Sequence, residues 1–324
     1  MAKRTSKNNP HKSFKRSYRE DYQRGVDAPG MLQHVFMTFG TIFKNWKLFL
    51  PLLVIVVFLN VFFVGLMSEA NYVKLQDVLN QTDAQVAGGN VGGVVKAGFL
   101  LISAITSGGV FGKSNEVAMI FGILIFLLIW LTTIFILRRL MAGKKVKLRD
   151  ALYNSMSPLV PTVMIFAVVV LQCIPIFLLI IAYSAAVQTN FLTMPFYALM
   201  FLAFAILMIV LSGYLLSSSL VALIAVTVPG IYPMEAFRAA KELIMSRRIK
   251  FIMRIINLIV VVVVGWAIIM LPLILFDLWM KTFAWTRGIP FIPICLAIMS
   301  GFTCIYATTY LYLYYRWMLD DDKK

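Results

Sequence analysis

Six apolar runs, each about as long as a bilayer is thick, leave this chain few ways to fold. They are Leu48–Met67 (LFLPLLVIVVFLNVFFVGLM), Val117–Leu137, Pro158–Tyr183, Phe196–Val228, Ile255–Phe276 and Ile289–Tyr315. A helix needs about 20 predominantly apolar residues to cross the hydrocarbon layer. With no water there, a crossing backbone must satisfy its own hydrogen bonds, so each run is expected as an α-helix. Composition agrees: the chain is 61% hydrophobic and 14% charged, where a soluble domain is roughly half apolar and a quarter charged. The third run holds Pro161 and Pro175, the latter a candidate hinge. The fourth is long enough to tilt, to project beyond the bilayer, or to kink near Ser212–Gly213.

Charge sets the expected orientation. Of the 30 Lys and Arg, ten lie in residues 1–47, six in 138–157, six in 229–254 and three after the last run. Segments 68–116, 184–195 and 277–288 share the other five. By the positive-inside rule both termini are cytoplasmic, as an even span number requires. Residues 1–30 read as a basic cytoplasmic tail with too few apolar residues to pack alone. The tail lacks the apolar core of a cleavable signal, so the first span is expected to serve as an uncleaved one. Residues 68–116 are expected as an outer insertion. It contains a short amphipathic helix (NYVKLQDVLNQTDAQV), a flexible joint at Ala87–Gly93, and a surface or re-entrant piece at 97–111 rather than a seventh span. Residues 319–324 form a short cytoplasmic tail.

Amphipathic stretches precede three of the runs. In MLQHVFMTFGTIFKNWK, residues Leu32, Val35, Phe36, Phe39, Ile42, Phe43 and Trp46 share one helical face. Gln33, His34, Thr38, Thr41, Lys44 and Asn45 face away. KKVKLRDALYNSM repeats the design with Leu148, Ala151, Leu152 and Met156 apolar. In Met234–Met245, Phe237, Ala240, Leu243 and Ile244 oppose Glu235, Arg238, Lys241 and Glu242. The phase breaks after Ser246, so that helix is expected to end there and the chain to turn into the fifth span. The resulting plan is an all-α integral membrane protein. It has six transmembrane helices as three hairpins, each preceded by an interfacial amphipathic helix on the cytoplasmic side. The membrane domain is 31–318, with a possible threefold repeat over 31–137, 148–228 and 234–315.

This plan, with EAFRAAKELIMSRRIKFIMRIINLIVVVV after VPGIYP, resembles the membrane domain fused to some glycerophosphoryl diester phosphodiesterases. It also resembles related multi-span bacterial membrane proteins of unknown function. The resemblance covers about the last half of the chain and implies a bacterial cytoplasmic-membrane protein. It lends no catalytic residue, since no phosphodiesterase domain is present.

No charged residue lies mid-span, which argues against ion-coupled transport through a buried carboxylate. There are two histidines, His11 and His34, and no HExxH or Walker loop. Cys173, Cys295 and Cys304 lack metal-ligand spacing and read as small apolar residues. Glu69, Asp77 and Asp83 lack a partner motif. No cofactor, metal or catalytic residue is expected, and the chain is not read as an enzyme. The expected partner is anionic lipid on the cytoplasmic leaflet, contacted by Arg238, Lys241, Arg247, Arg248, Lys250 and Arg254. Lipid is preferred to nucleic acid for the basic tail because the tail is tethered at the membrane. Function is read as a non-catalytic membrane scaffold. The alternative is a carrier for a neutral or lipid-like substrate, its cavity lined by Asn60, Gln172, Ser212, Tyr214 and Asn257. The SGYLLSSS stretch also sets Gly213 and Ser217 at a spacing suited to close helix packing.

Overall fold

A computed structural model describes residues 29–64, 116–189, 195–228, 230–245, 247–280 and 291–323. Expectations for the basic tail and the outer insertion lie outside the described residues. Those residues form ten α-helices and no strand. They are α1 (Met31–Lys44), α2 (Trp46–Leu59), α3 (Glu116–Met141), α4 (Leu148–Ser155), α5 (Leu159–Gln172), α6 (Ile174–Gln188), α7 (Pro195–Ala225), α8 (Pro233–Ile244), α9 (Arg248–Met280) and α10 (Phe291–Lys323). A π-helical turn, Asn60–Val64, continues α2. Six stretches are long and apolar enough to cross a membrane: Trp46–Phe63, Ile120–Met141, Leu159–Ala186, Phe196–Ala225, Arg248–Met270 and Ile294–Leu319.

Local chemistry sets the boundaries. Pro233 opens α8 at a position where no backbone N–H is needed, and Glu235 lies in its positive first turn. Gly230, at φ 86°, makes the turn that reaches it. α3 ends on Gly143, at φ 70°, where the Lys144 and Gly143 amides donate back to the Arg139 and Leu140 carbonyls at 3.1 and 3.0 Å. The third apolar run is two helices, broken at Cys173. Pro175 has no N–H to give and its ring crowds the carbonyl of Leu171. Cys173 bridges the break, donating to Val169 and Val170 and accepting from Ile176 and Phe177. The fourth run shows no break at Ser212–Gly213, since α7 is one continuous helix.

The chain divides into two compact units. One comprises Met164–Ile255 and Tyr314–Lys324 with the described part of Met1–Gly30. The other comprises Met31–Val163 and Ile256–Leu313. In the first, α8 packs along α7 with Ala236, Ala240 and Ile244 buried. Burial along α7 changes partway. Leu199, Leu207 and Val210 are exposed, whereas Val221 to Val226 are all buried.

In the second unit, Leu127, Leu131, Ile134 and Leu137 of α3 are fully buried. Here α1 departs from expectation. His34 and Thr38, placed on its outward polar face, are buried, together with Val35 and Ile42. Leu32, Phe36 and Phe43 stay exposed. A polar group in an apolar medium gains most by finding a protein partner, while an apolar side chain loses nothing against hydrocarbon. The aromatic YLYLYYRW stretch lies in α10. Its tyrosines Tyr310, Tyr312 and Tyr314 are buried. Close packing also falls elsewhere than the small-residue pattern suggested. A Cβ on Gly213 would meet nothing within 4 Å, but one on Gly301 would meet Leu53 Cδ1 at 2.9 Å and Val56 Cγ1 at 3.3 Å.

Candidate functional site

The cationic residues singled out in the sequence all lie in the first unit. Arg238 and Lys241 are exposed on the outer face of α8, because its Ala and Ile positions pack against α7. Lys250 is exposed in the first turn of α9. Arg247 and Arg248 are half-buried and lie on aromatic rings. The Arg247 guanidinium carbon is 5.4 Å from the Trp317 centroid, and that of Arg248 is 4.0 Å from the Tyr214 centroid. A cation over a ring gains about 0.5–1 kcal/mol when exposed and more when desolvated. Each ring therefore holds a charge near the surface without neutralising it.

Arg254 belongs to a different class. It is only 6% exposed. It donates to the Gly30 carbonyl at 3.4 Å and to that of Pro29, with its guanidinium 5.4 Å from the Tyr314 ring. Its donors hold the chain leading into α1, so it is withdrawn from the surface set. The sequence carried no signal for this, because Arg254 has the same helical phase as Arg247 and Lys250.

Of the residues expected to line a cavity, Gln172, Ser212 and Tyr214 fall in the first unit and Asn60 and Asn257 in the second. Ser212 Oγ donates to the Gln172 main-chain carbonyl at 3.2 Å, and Ser219 Oγ to Gln172 Oε1 at 2.6 Å. These bonds tie α7 to the end of α5, where Gln172 precedes the Cys173 break. Asn60 Nδ2 turns back to the Val56 carbonyl of its own helix at 3.1 Å. Asn257 Nδ2 donates to the Tyr310 hydroxyl at 3.0 Å. Tyr214 lies under Arg248. An open groove of about 930 Å³ runs beside α4, lined by Ile55, Leu148, Tyr153 and their neighbours, and includes none of the five.

Sequence reading missed the polar contacts that α10 makes with α1 and α9. His34 Nε2 lies 3.1 Å from the Tyr310 carbonyl oxygen, and the two rings meet edge-on at 4.4 Å. Trp266 Nε1 donates to Thr303 Oγ1 at 2.9 Å. The lone histidine of α1 was the available signal. Among the described residues no group of three or more His, Cys, Asp or Glu could hold a metal ion. Comparison with protein-family models, with curated proteins and with solved structures finds no match.

Proposed function

We propose that this chain is a non-catalytic scaffold of the bacterial cytoplasmic membrane. Its six spans form three hairpins with both termini cytoplasmic. α1, α4 and α8 lie along the inner surface, and its cytoplasmic face binds anionic lipid. The resemblance to phosphodiesterase-fused membrane domains belongs to the same reading. The observation that carries it is the arrangement of Arg238, Lys241, Arg247, Arg248 and Lys250. Three of these cations are exposed and two rest on rings, all where α8 gives way to the apolar helix α9. Charges placed there reach headgroups while their stems stay on apolar surface.

Native mass spectrometry of the protein extracted with its lipids tests the proposal. Anionic lipid is expected to stay bound and to be lost when Arg247, Arg248 and Lys250 are all changed to Glu. Unchanged lipid content together with unchanged topology in reporter fusions would count against it.

One observation favours a carrier for a neutral or lipid-like substrate. Trp130 Nε1 and Thr133 Oγ1 are buried on one face of α3, near the middle of its apolar stretch, and neither meets an acceptor or donor among the described residues. Unsatisfied groups in hydrocarbon cost several kcal/mol each, so a polar guest would be stabilised there. A bound neutral molecule that survives the charge reversal would support this second reading.

A further inference from the structure

Arg248 opens α9, and its 4.0 Å approach to Tyr214 is nearer than those of Arg139 to Phe135, Arg247 to Trp317 and Arg254 to Tyr314, at 5.2, 5.4 and 5.4 Å. Two of its donors, Nε and Nη1, are shut off from solvent and meet no acceptor among the described residues. A guanidinium is always charged and can only donate, so buried donors without an acceptor are a standing penalty. Arg254, six residues on, shows the ordinary solution, with its donors spent on backbone carbonyls.

The surroundings of Tyr214 indicate what acceptor is missing. Leu207, Val210 and Leu211 make an exposed apolar row on α7, and Tyr214 ends it at 53% exposed. Beyond it, Ser217, Ser219 and Val221 to Val226 are buried. Tyr214 is 19 residues past the first residue of α7, which is roughly 28 Å along a helix. The hydrocarbon core is about 30 Å thick. If α7 crosses from its first turn, Tyr214 and Arg248 sit at headgroup depth, where phosphate is the acceptor in constant supply.

We infer that Arg248 and Tyr214 form a seat for the phosphate of one anionic phospholipid. The guanidinium donates to the phosphate oxygens. The ring backs the guanidinium and packs on the first acyl carbons. Arg248 as a whole is half-buried and Tyr214 about half exposed, so the pair lies at the protein surface. The neighbouring Arg247 and Lys250 repel an ammonium headgroup, which selects phosphatidylglycerol over phosphatidylcholine. This inference rests on the lipid-binding reading and narrows it from a charged surface to one site.

The full chain in detergent, titrated with phosphatidylglycerol, phosphatidylcholine or inorganic phosphate and read by native mass spectrometry, tests it. Arg248→Gln is expected to weaken the first phosphatidylglycerol about tenfold and Tyr214→Leu about threefold. Tyr214→Phe keeps the ring and with it the first lipid, and Arg139→Gln, at a cation–ring pair outside the lipid-binding set, leaves that lipid unchanged. Should Tyr214→Leu lose its cooperative melting transition, Arg248→Lys, which keeps the charge but loses the planar stacking, reads the same contact. Wild-type affinity in Arg248→Gln, with loss in Arg238→Gln and Lys241→Gln, overturns the seat and leaves the surface reading intact. A wild-type protein that retains no phosphatidylglycerol overturns both. Displacement of the lipid by millimolar inorganic phosphate assigns the seat to free phosphate and overturns the lipid.

Discussion

Gly301 gives the most direct handle on how the second unit is packed. A methyl group there would sit 2.9 Å from Leu53 Cδ1 and 3.3 Å from Val56 Cγ1. The leucine methyl is the end of a flexible side chain and can move aside. The valine is fully buried and its branched side chain is stiff, so the overlap with it has to be absorbed by shifting helices. Overpacking of this kind costs about 1–3 kcal/mol. Any Gly→Ala change inside a helix also gains about 1 kcal/mol of helix propensity. Gly265 separates the two effects, since a Cβ there meets nothing within 4 Å. Gly265→Ala is expected to stabilise, and Gly301→Ala to be about 1–2 kcal/mol worse than it. Reversible unfolding in mixed detergent–SDS micelles, followed by tryptophan fluorescence, measures both. Val56→Ala makes room, so Gly301→Ala should recover about 1 kcal/mol in that background. Equal stability of the two glycine variants, or no recovery with Val56→Ala, would refute the close approach of α2 and α10.

Three further outcomes follow from contacts described above. Arg254→Gln removes the fork that holds the Pro29 and Gly30 carbonyls, costs about 1–3 kcal/mol and speeds limited proteolysis at residues 29–34. Arg254→Lys does not restore protection, because one ammonium cannot replace the planar fork. Asn257→Leu and Tyr310→Phe each cost about 0.6–1.7 kcal/mol, and the double variant costs little more than either. Strict additivity of the two would show that the Asn257–Tyr310 hydrogen bond is not made. Gly230→Ala costs about 1–2 kcal/mol from its left-handed backbone alone, and a variant as stable as wild type would put that turn in another conformation.

Where helices begin and end was legible because the signals are local. Pro233 and the phase break after Ser246 marked both ends of α8, and the apolar runs marked the six candidate spans. What faces what was not legible. A period of 3.6 separates apolar from polar faces, but in a membrane the apolar face has two acceptable neighbours, lipid and protein. Leu32, Phe36 and Phe43 were therefore identified as one apolar face, without any indication that His34 and Thr38 would be the buried ones. Arg254 posed the same difficulty, since its burial depends on Pro29 and Gly30, more than two hundred residues away. The π-turn at Asn60 had a hint in the polar side chain itself, which bonds back to Val56 and competes with the regular helix ladder.

The contact between His34 and Tyr310 also sets an order in time. Its two residues are 276 apart in sequence, so at a synthesis rate of about 5–20 residues per second the imidazole is made on the order of 15–55 s before its carbonyl partner. Through that interval α1 has no C-terminal helix to dock on. Its exposed phenylalanines have hydrocarbon at hand from the start. α1, the first of the described helices to leave the ribosome, is thus among the last to be fixed, and a chain truncated before Tyr310 would carry a helix with no carbonyl to meet its histidine.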